Sequence, residues 1–198
     1  DTLLIENGMI LAMDAGRRVL EGASLLVRDG RIAAIGADVP AMPPETSRID
    51  AAGMVVMPGL IDTHAHAGHM LTKGLGGDSE DWMTITGRVY AEATDAEFWA
   101  AEAALSAAER IKCGTTTAAL LFGGGPDIMR TEAPDAADAH LAVIAEMGLR
   151  EVLAIGPNRL SAKSIYRKYN AKSYDEIAVL PDTQLKVCTT LIDAWAGR

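Results

Sequence analysis

Asp62, His64 and His66 alternate within the stretch LIDTHAHAGH, residues 60–69, which also holds His69 and so contains three of the chain's four histidines. On a β-strand residues i and i+2 point to the same face, so this spacing sends an aspartate and two imidazoles out together. Two imidazoles one pleat repeat apart can share a single cation, and imidazole suits zinc, iron, cobalt and nickel alike. The alternative is a pair of polar side chains at a strand end, solvated or hydrogen-bonded to loops. The apolar lead-in PGLID reads as a buried strand and favours the metal, because ligand sites of parallel folds collect at the C-terminal ends of strands.

Two kinds of element surround this pair. TLLIE-NG-MILAM and SLLVR-DG-RIAAIG each place a two-residue turn of the tight-hairpin type between apolar strands. After the connector VPAMPPETS, a further strand pair is expected around RIDAAGMVVMPG. Residues 1–57 are therefore read as a small β domain, taken as a β-sandwich. From residue 58 strands alternate with helices. GLIDTHAH, TTTAALLFGGG and LREVLAIG read as strands. The first intervening helix is TDAEFWAAEAALSAAERIKCG, with Thr94 and Glu97 forming a capping box and Phe98, Ala101, Leu105, Ala108 and Ile111 on one face. The second is PDAADAHLAVIAEMG, closed by Gly148, and TQLKVCTTLIDAWAG reads as a last helix. This alternation predicts an α/β fold with parallel strands. About 250 residues is typical of a closed eight-stranded barrel, so residues 58–198 are expected to supply only its first strands.

Composition bounds the rest. Nearly half of the 198 residues are apolar, which suits a globular domain. The net charge of −9 argues against nucleic acid as a partner, and no apolar run is long enough to cross a bilayer. Cys113 and Cys188 form no disulfide framework, which points to small buried or half-buried thiols in a reducing, cytoplasmic compartment. The N-terminus has no signal-peptide pattern, and its first residue, Asp1, leaves a trimmed start open. KSIYRKYNAK groups Lys163, Arg167, Lys168 and Lys172 with tyrosines. It reads as a solvated helix face, with a contact surface for another chain or an anion as the alternative. GLGGDS and FGGGP lack the G-K-[ST] ending of a phosphate loop and read as flexible site loops.

VVMPGLIDTHAH resembles the signature of the amidohydrolase superfamily, in which P-G-hydrophobic-hydrophobic-D-x-H-x-H closes a small β domain and opens a (β/α)8 barrel. HMLTKGLGGDSEDWM, AAERIKCGTTTAALL and HLAVIAEMGLREVLAIGP resemble its branch of triazine hydrolases, cytosine and guanine deaminases and S-adenosylhomocysteine deaminase. The resemblance covers most of residues 1–156. It implies that His64 and His66 are metal ligands and that Asp62 supports them without binding the metal. It also places His69 and Trp82 where this branch builds part of its substrate pocket. The implied cofactor is one divalent metal ion, zinc foremost, with iron, cobalt or manganese as alternatives. A carboxylated lysine bridging two metals is not expected, since none of Lys163, Lys168, Lys172 and Lys186 ends an apolar strand.

The implied chemistry is hydrolysis of a C–N bond, by deamination or amide cleavage, in a small N-heterocyclic molecule. Carboxamides, ureas, carbamates and carbon–halogen bonds are alternatives on the same scaffold, as is a non-catalytic partner role. The family completes its metal site with histidines after the fifth and sixth barrel strands and an aspartate after the eighth, which acts as general base; none of these is in this chain. His140, the remaining histidine, lies in a helix and is expected in the core or on the surface. The expectation is thus an N-terminal half-barrel completed by a companion chain or a further segment, in an oligomer, with the general base outside these residues.

Overall fold

The computed structural model describes residues 1–77, 80–122, 132–156, 163–169 and 173–198. The chain divides into two compact units, Asp1–Gly59 and Leu60–Arg198.

The first unit contains β1 (Thr2–Leu11), β2 (Val19–Arg28), β3 (Arg31–Gly36), β4 (Ser47–Asp50) and β5 (Val55–Val56). They form one sheet of order β3-β2-β1-β4, with β5 also on β1. The described residues of this unit thus form a single sheet, where a sandwich would need two. Ile10, Ala23 and Leu25 are its buried centre, flanked by Ile5, Leu20, Val27, Ile35 and Val56. The Asp29-Gly30 hairpin is present, both residues having positive φ (50° and 73°).

Asn7-Gly8 does something else. β1 runs straight through it, and the register against β2 shifts on either side of Gly8. The dipeptide is a bulge and not a turn. Asn7 adopts φ 63° and donates from Nδ2 to Asp50 Oδ1 at 2.9 Å. A Cβ on Gly8 would meet Val56 Cγ2 at 2.7 Å and Ala51 Cβ at 3.2 Å, so glycine is required there by close packing. The chain reverses later, at residues 12–18, where Asp14 accepts from the backbone N–H and Nε of Arg18. β4 and β5 do not pair with each other; each runs parallel to β1.

The second unit is built on a parallel sheet of order β6-β7-β8: Leu60–His66, Thr115–Leu121 and Arg150–Ala154. Helices α1 (Trp82–Glu92) and α2 (Ala96–Lys112) connect β6 to β7, and α3 (Asp135–Met147) connects β7 to β8. The hairpin β9 (Ser164–Tyr169) and β10 (Tyr174–Val179) precedes α4 (Pro181–Trp195). Two apolar clusters hold the unit together. Tyr90, Trp99, Phe122, Ala137 and Leu191 form one, and Ala103, Ala107, Ala118, Leu120 and Ile144 form the other.

Several expectations are corrected here. α2 starts from Asp95, whose side chain accepts from Phe98 N–H, while Thr94 donates its hydroxyl to Tyr90 O instead of capping. The buried face of α2 is Trp99, Glu102, Ala103, Ser106, Ala107 and Arg110, whereas Ala101, Leu105 and Ile111 are exposed. β6 is not buried along its length: Leu60 and Ile61 are 51% and 66% exposed, because among the described residues β6 is an edge strand paired with β7 on one side. The stretch read as a solvated helix face is strand β9, whose alternating Ile165 and Arg167 pair against β10. Arg167 spends its charge on Glu92 (2.7 Å) and Glu176 (3.2 Å). FGGGP beyond Phe122, Ser79 with Asp78, and Lys172 lie outside the described residues. Among the described residues no helix is long and apolar enough to cross a membrane.

Two tests follow from the helices. Asp95→Ala removes the side-chain acceptor for the α2 N-terminus and should lower unfolding free energy by about 1 kcal/mol, read by urea denaturation. Cys113, at the end of α2, is exposed, whereas Cys188 is buried in α4, where burial pushes its thiol pKa up and so reduces its thiolate. Iodoacetamide should label Cys113 alone in the native protein and both cysteines after denaturation, as counted by mass spectrometry.

Candidate metal centre

β6 ends the site's first element, and its register with β7 decides where each side chain goes. Asp62 pairs with Ala118 and Ala65 with Leu120, three steps on β6 against two on β7. One extra residue is therefore inserted in β6 between Asp62 and Ala65, a bulge of the kind that re-aims side chains beside functional sites. The insertion breaks the simple alternation. Ala65, Ala118 and Leu120 pack among the residues of α2 and α3, so Asp62, in register with Ala118, lies on the helix side of the sheet. There its Oδ2 meets Arg110 Nε at 3.4 Å, while its Oδ1 accepts from His64 N–H at 3.4 Å.

His64 and His66 occupy the opposite face, and their rings stand edge-on at 79° with centroids 5.3 Å apart. The expected trio is thus a pair, with Asp62 turned away to support the strand. Among the described residues no third His, Cys, Asp or Glu joins them in a set able to hold a metal. The pair fits two positions of a catalytic zinc site, which typically has three protein ligands and one open position. His64 is exposed and His66 is partly accessible, so both can be approached from the open side of the sheet.

The chain leaves β6 through a tight turn, which carries His69. Its ring lies 5.6 Å from that of His66, edge-on at 83°, and its Nδ1 is 3.3 Å from Tyr90 Oη. Burial, with a smaller push from His66, lowers the His69 pKa, and Glu102 opposes that shift. Tyr90 is fully buried; it donates its hydroxyl to Gly68 O and lies 2.6 Å from Thr72 Oγ1, which itself donates to Gly68 O at 2.9 Å. Burial raises the Tyr90 pKa. Gly68, at φ 99°, packs directly on the rings of Tyr90 and Trp99, which a Cβ would crowd at 3.0–3.2 Å.

Trp82 opens α1 and is 46% exposed. Together with His69, Thr72, Lys73, Thr86 and the glycines at 74, 76 and 77, it lines an open cavity of about 220 Å3. The structure therefore brings His69 and Trp82 to one cavity and His69 to the edge of the histidine pair. His140 is elsewhere, fully buried in α3 with Nε2 2.7 Å from Glu151 Oε1. Its place in the core separates it from the metal pair.

Reading by residue type alone missed one group. Glu102 is fully buried beneath the turn, and its two carboxylate oxygens accept from the backbone N–H groups of Gly68 (3.1 Å), Met70 (2.8 Å) and Leu71 (2.7 Å). Glu109 on the same helix pairs with Lys73 at 3.0 Å. The signal was present in the spacing: Glu102, Ser106 and Arg110 stand four residues apart and so share a face with Trp99 and Ala103.

The model of the amidohydrolase family matches residues 55–172, which begins at β5 and includes the whole histidine motif. A 5-methylthioadenosine/S-adenosylhomocysteine deaminase from Symbiobacterium thermophilum is 28% identical over 98% of this chain and 47% of its own length. Guanine deaminase from C. acetobutylicum, solved with guanine in its active site, shares the fold at a TM-score of 0.69 with 18% identity, over all of this chain and 44% of its own. A variant atrazine chlorohydrolase from Arthrobacter aurescens TC1, complexed with zinc and atraton, gives 0.66 with 22% identity over 96% and 42%. The chain spans less than half the length of each of these three proteins. By the extent of the family match, which covers more than half of it, this chain belongs to the amidohydrolase family.

Proposed function

We propose that this chain forms the N-terminal half of a metal-dependent amidohydrolase, one that deaminates or cleaves an amide of a small N-heterocyclic molecule. The observation that carries this reading is the His64–His66 pair at the C-terminal end of a parallel strand, facing away from the helices. The names of the relatives support the substrate class, since they act on adenosine derivatives and include 5′-deoxyadenosine deaminases. The zinc in the atrazine chlorohydrolase supports the choice of metal.

His64 and His66 would hold the cation from one side, and a companion segment, continuous or separate, would supply the remaining ligands and the general base. Such a cation, when bound, lowers the pKa of water toward neutrality and so makes a nucleophile available at ordinary pH. The chain's own residues do the rest of what is visible. Asp62 fixes the strand beneath the pair through Arg110, and His69 and Trp82 offer a hydrogen-bonding group and an aromatic face to the substrate. The need for a companion is supported by the open sheet: β6 exposes Leu60 and Ile61, and β8 exposes Val152 at 65%. Unpaired parallel edges of this kind invite further strands.

The experiment is metal analysis and turnover of the natively assembled protein. His64→Ala and His66→Ala should each remove the bound divalent metal and abolish hydrolysis of an aminopurine nucleoside, while the circular dichroism spectrum stays native. Full metal content in the double variant would refute the assignment. Native mass spectrometry should find the missing histidine and aspartate ligands on polypeptide that accompanies these residues.

A further inference from the structure

The N–H groups of the backbone between His66 and Lys73 are gathered from below by the Glu102 side chain. Three N–H groups of one turn, those of Gly68, Met70 and Leu71, converge within 3.1 Å on the Glu102 carboxylate. Gly68 sits at φ 99°, a left-handed conformation that lets successive N–H groups turn toward one point. A concavity of backbone N–H groups built this way binds anions. Here the anion is internal. Glu102 is fully buried, and the hydrogen bonds described for it all come from main chain, so its charge is met by the turn itself. A buried carboxylate is costly without such donors, and short charge-assisted bonds are the strong ones.

The position of this turn matters for the histidines. His66 immediately precedes it and His69 lies between the anchored residues 68 and 70. The Tyr90 hydroxyl, bonded to Gly68 O, also faces His69. We propose that the 68–71 turn is an anion-binding nest whose resident anion is the Glu102 side chain, and that Glu102 is thereby a positioning residue for His66 and His69. A small carboxylate, formate, would occupy the same nest once the side chain is removed. The positioning part rests on the reading of His64 and His66 as metal ligands; the nest itself does not.

The test uses Glu102→Ala in the complete protein, with sodium formate set against sodium chloride at equal ionic strength. Amide hydrogen exchange at Gly68, Met70 and Leu71 should accelerate in the variant and slow again with formate in a saturable way, while chloride has no effect. Zinc ion alone, followed by calorimetry, should bind about 10- to 100-fold more weakly, the usual cost of removing a group that orients a ligand, and formate should recover part of that loss. Native protection of the three amides in folded Glu102→Ala overturns the nest, as does a loosened turn that formate fails to restore. Zinc affinity unchanged in a variant whose turn has come loose overturns the positioning role.

Glu102→Gln covers the case in which the alanine variant does not fold. It is isosteric but presents an NH2 where an oxygen accepted. Exchange should rise at the turn amides facing that group while the rest of α2 keeps its protection, and native protection at all three amides overturns the proposal. The exchange measurements need no metal. Their outcome therefore stands even where His64→Ala and His66→Ala leave metal content unchanged.

Discussion

A negative charge shut away from water must be satisfied by the fold around it, and the most consequential case here is Glu102. Its carboxylate is the point at which α2 and the exit turn of β6 meet, through the N–H groups of Gly68, Met70 and Leu71. Arg110, two turns further along the same helix, takes Asp62 on β6, and Glu109 takes Lys73 beyond the turn. One helix face thus grips the histidine strand before the pair, after it and beyond the turn. Apolar packing of Trp99, Ala103 and Ala107 brings the helix to the sheet, but it has no directional preference; the polar contacts choose the register.

The second constraint is the unfinished sheet. Parallel strands are ordinarily covered on both faces and paired on both sides. Among the described residues of this unit the helix side is filled, while the face carrying His64, His66 and Leu121 and the outer edges of β6 and β8 are open. The same geometry leaves the imidazoles of His64 and His66 approachable from that open face. Beside β8, Val152, Ile192 and Trp195 line a groove of about 450 Å3. Under the proposed function, the same added strands would cover this apolar groove and complete the ligand set of the histidine pair.

Much of this was legible in the residues. The Asp29-Gly30 hairpin, the three parallel strands, α3 with its Gly148 stop and the placement of the histidine pair all follow from local chemistry that tertiary packing reinforced. Elsewhere packing prevailed. Asn7-Gly8 has the chemistry of a turn, but Val56 and Ala51 close over Gly8 and make it a bulge. α1 was not anticipated: Thr84, Ile85, Gly87 and Val89 are weak helix formers, and Tyr90, anchored in the core, sustains it. The face of α2 was misjudged because apolar periodicity assumes that buried means apolar. Where a helix serves a functional turn, its inward stripe is partly ionic, and hydrophobicity then points to the wrong side.

The inserted residue in β6 has a consequence for how this strand can change over time. Upstream of it, side chains are indexed to the helices, through Asp62 and Arg110; downstream, the imidazoles are indexed to the face of the sheet away from the helices. The two segments keep separate phases. Adjustments in how the strand docks on its helix can accumulate without rotating the imidazoles, whereas loss of that single residue would swing both rings into the hydrocarbon side of the sheet in one step.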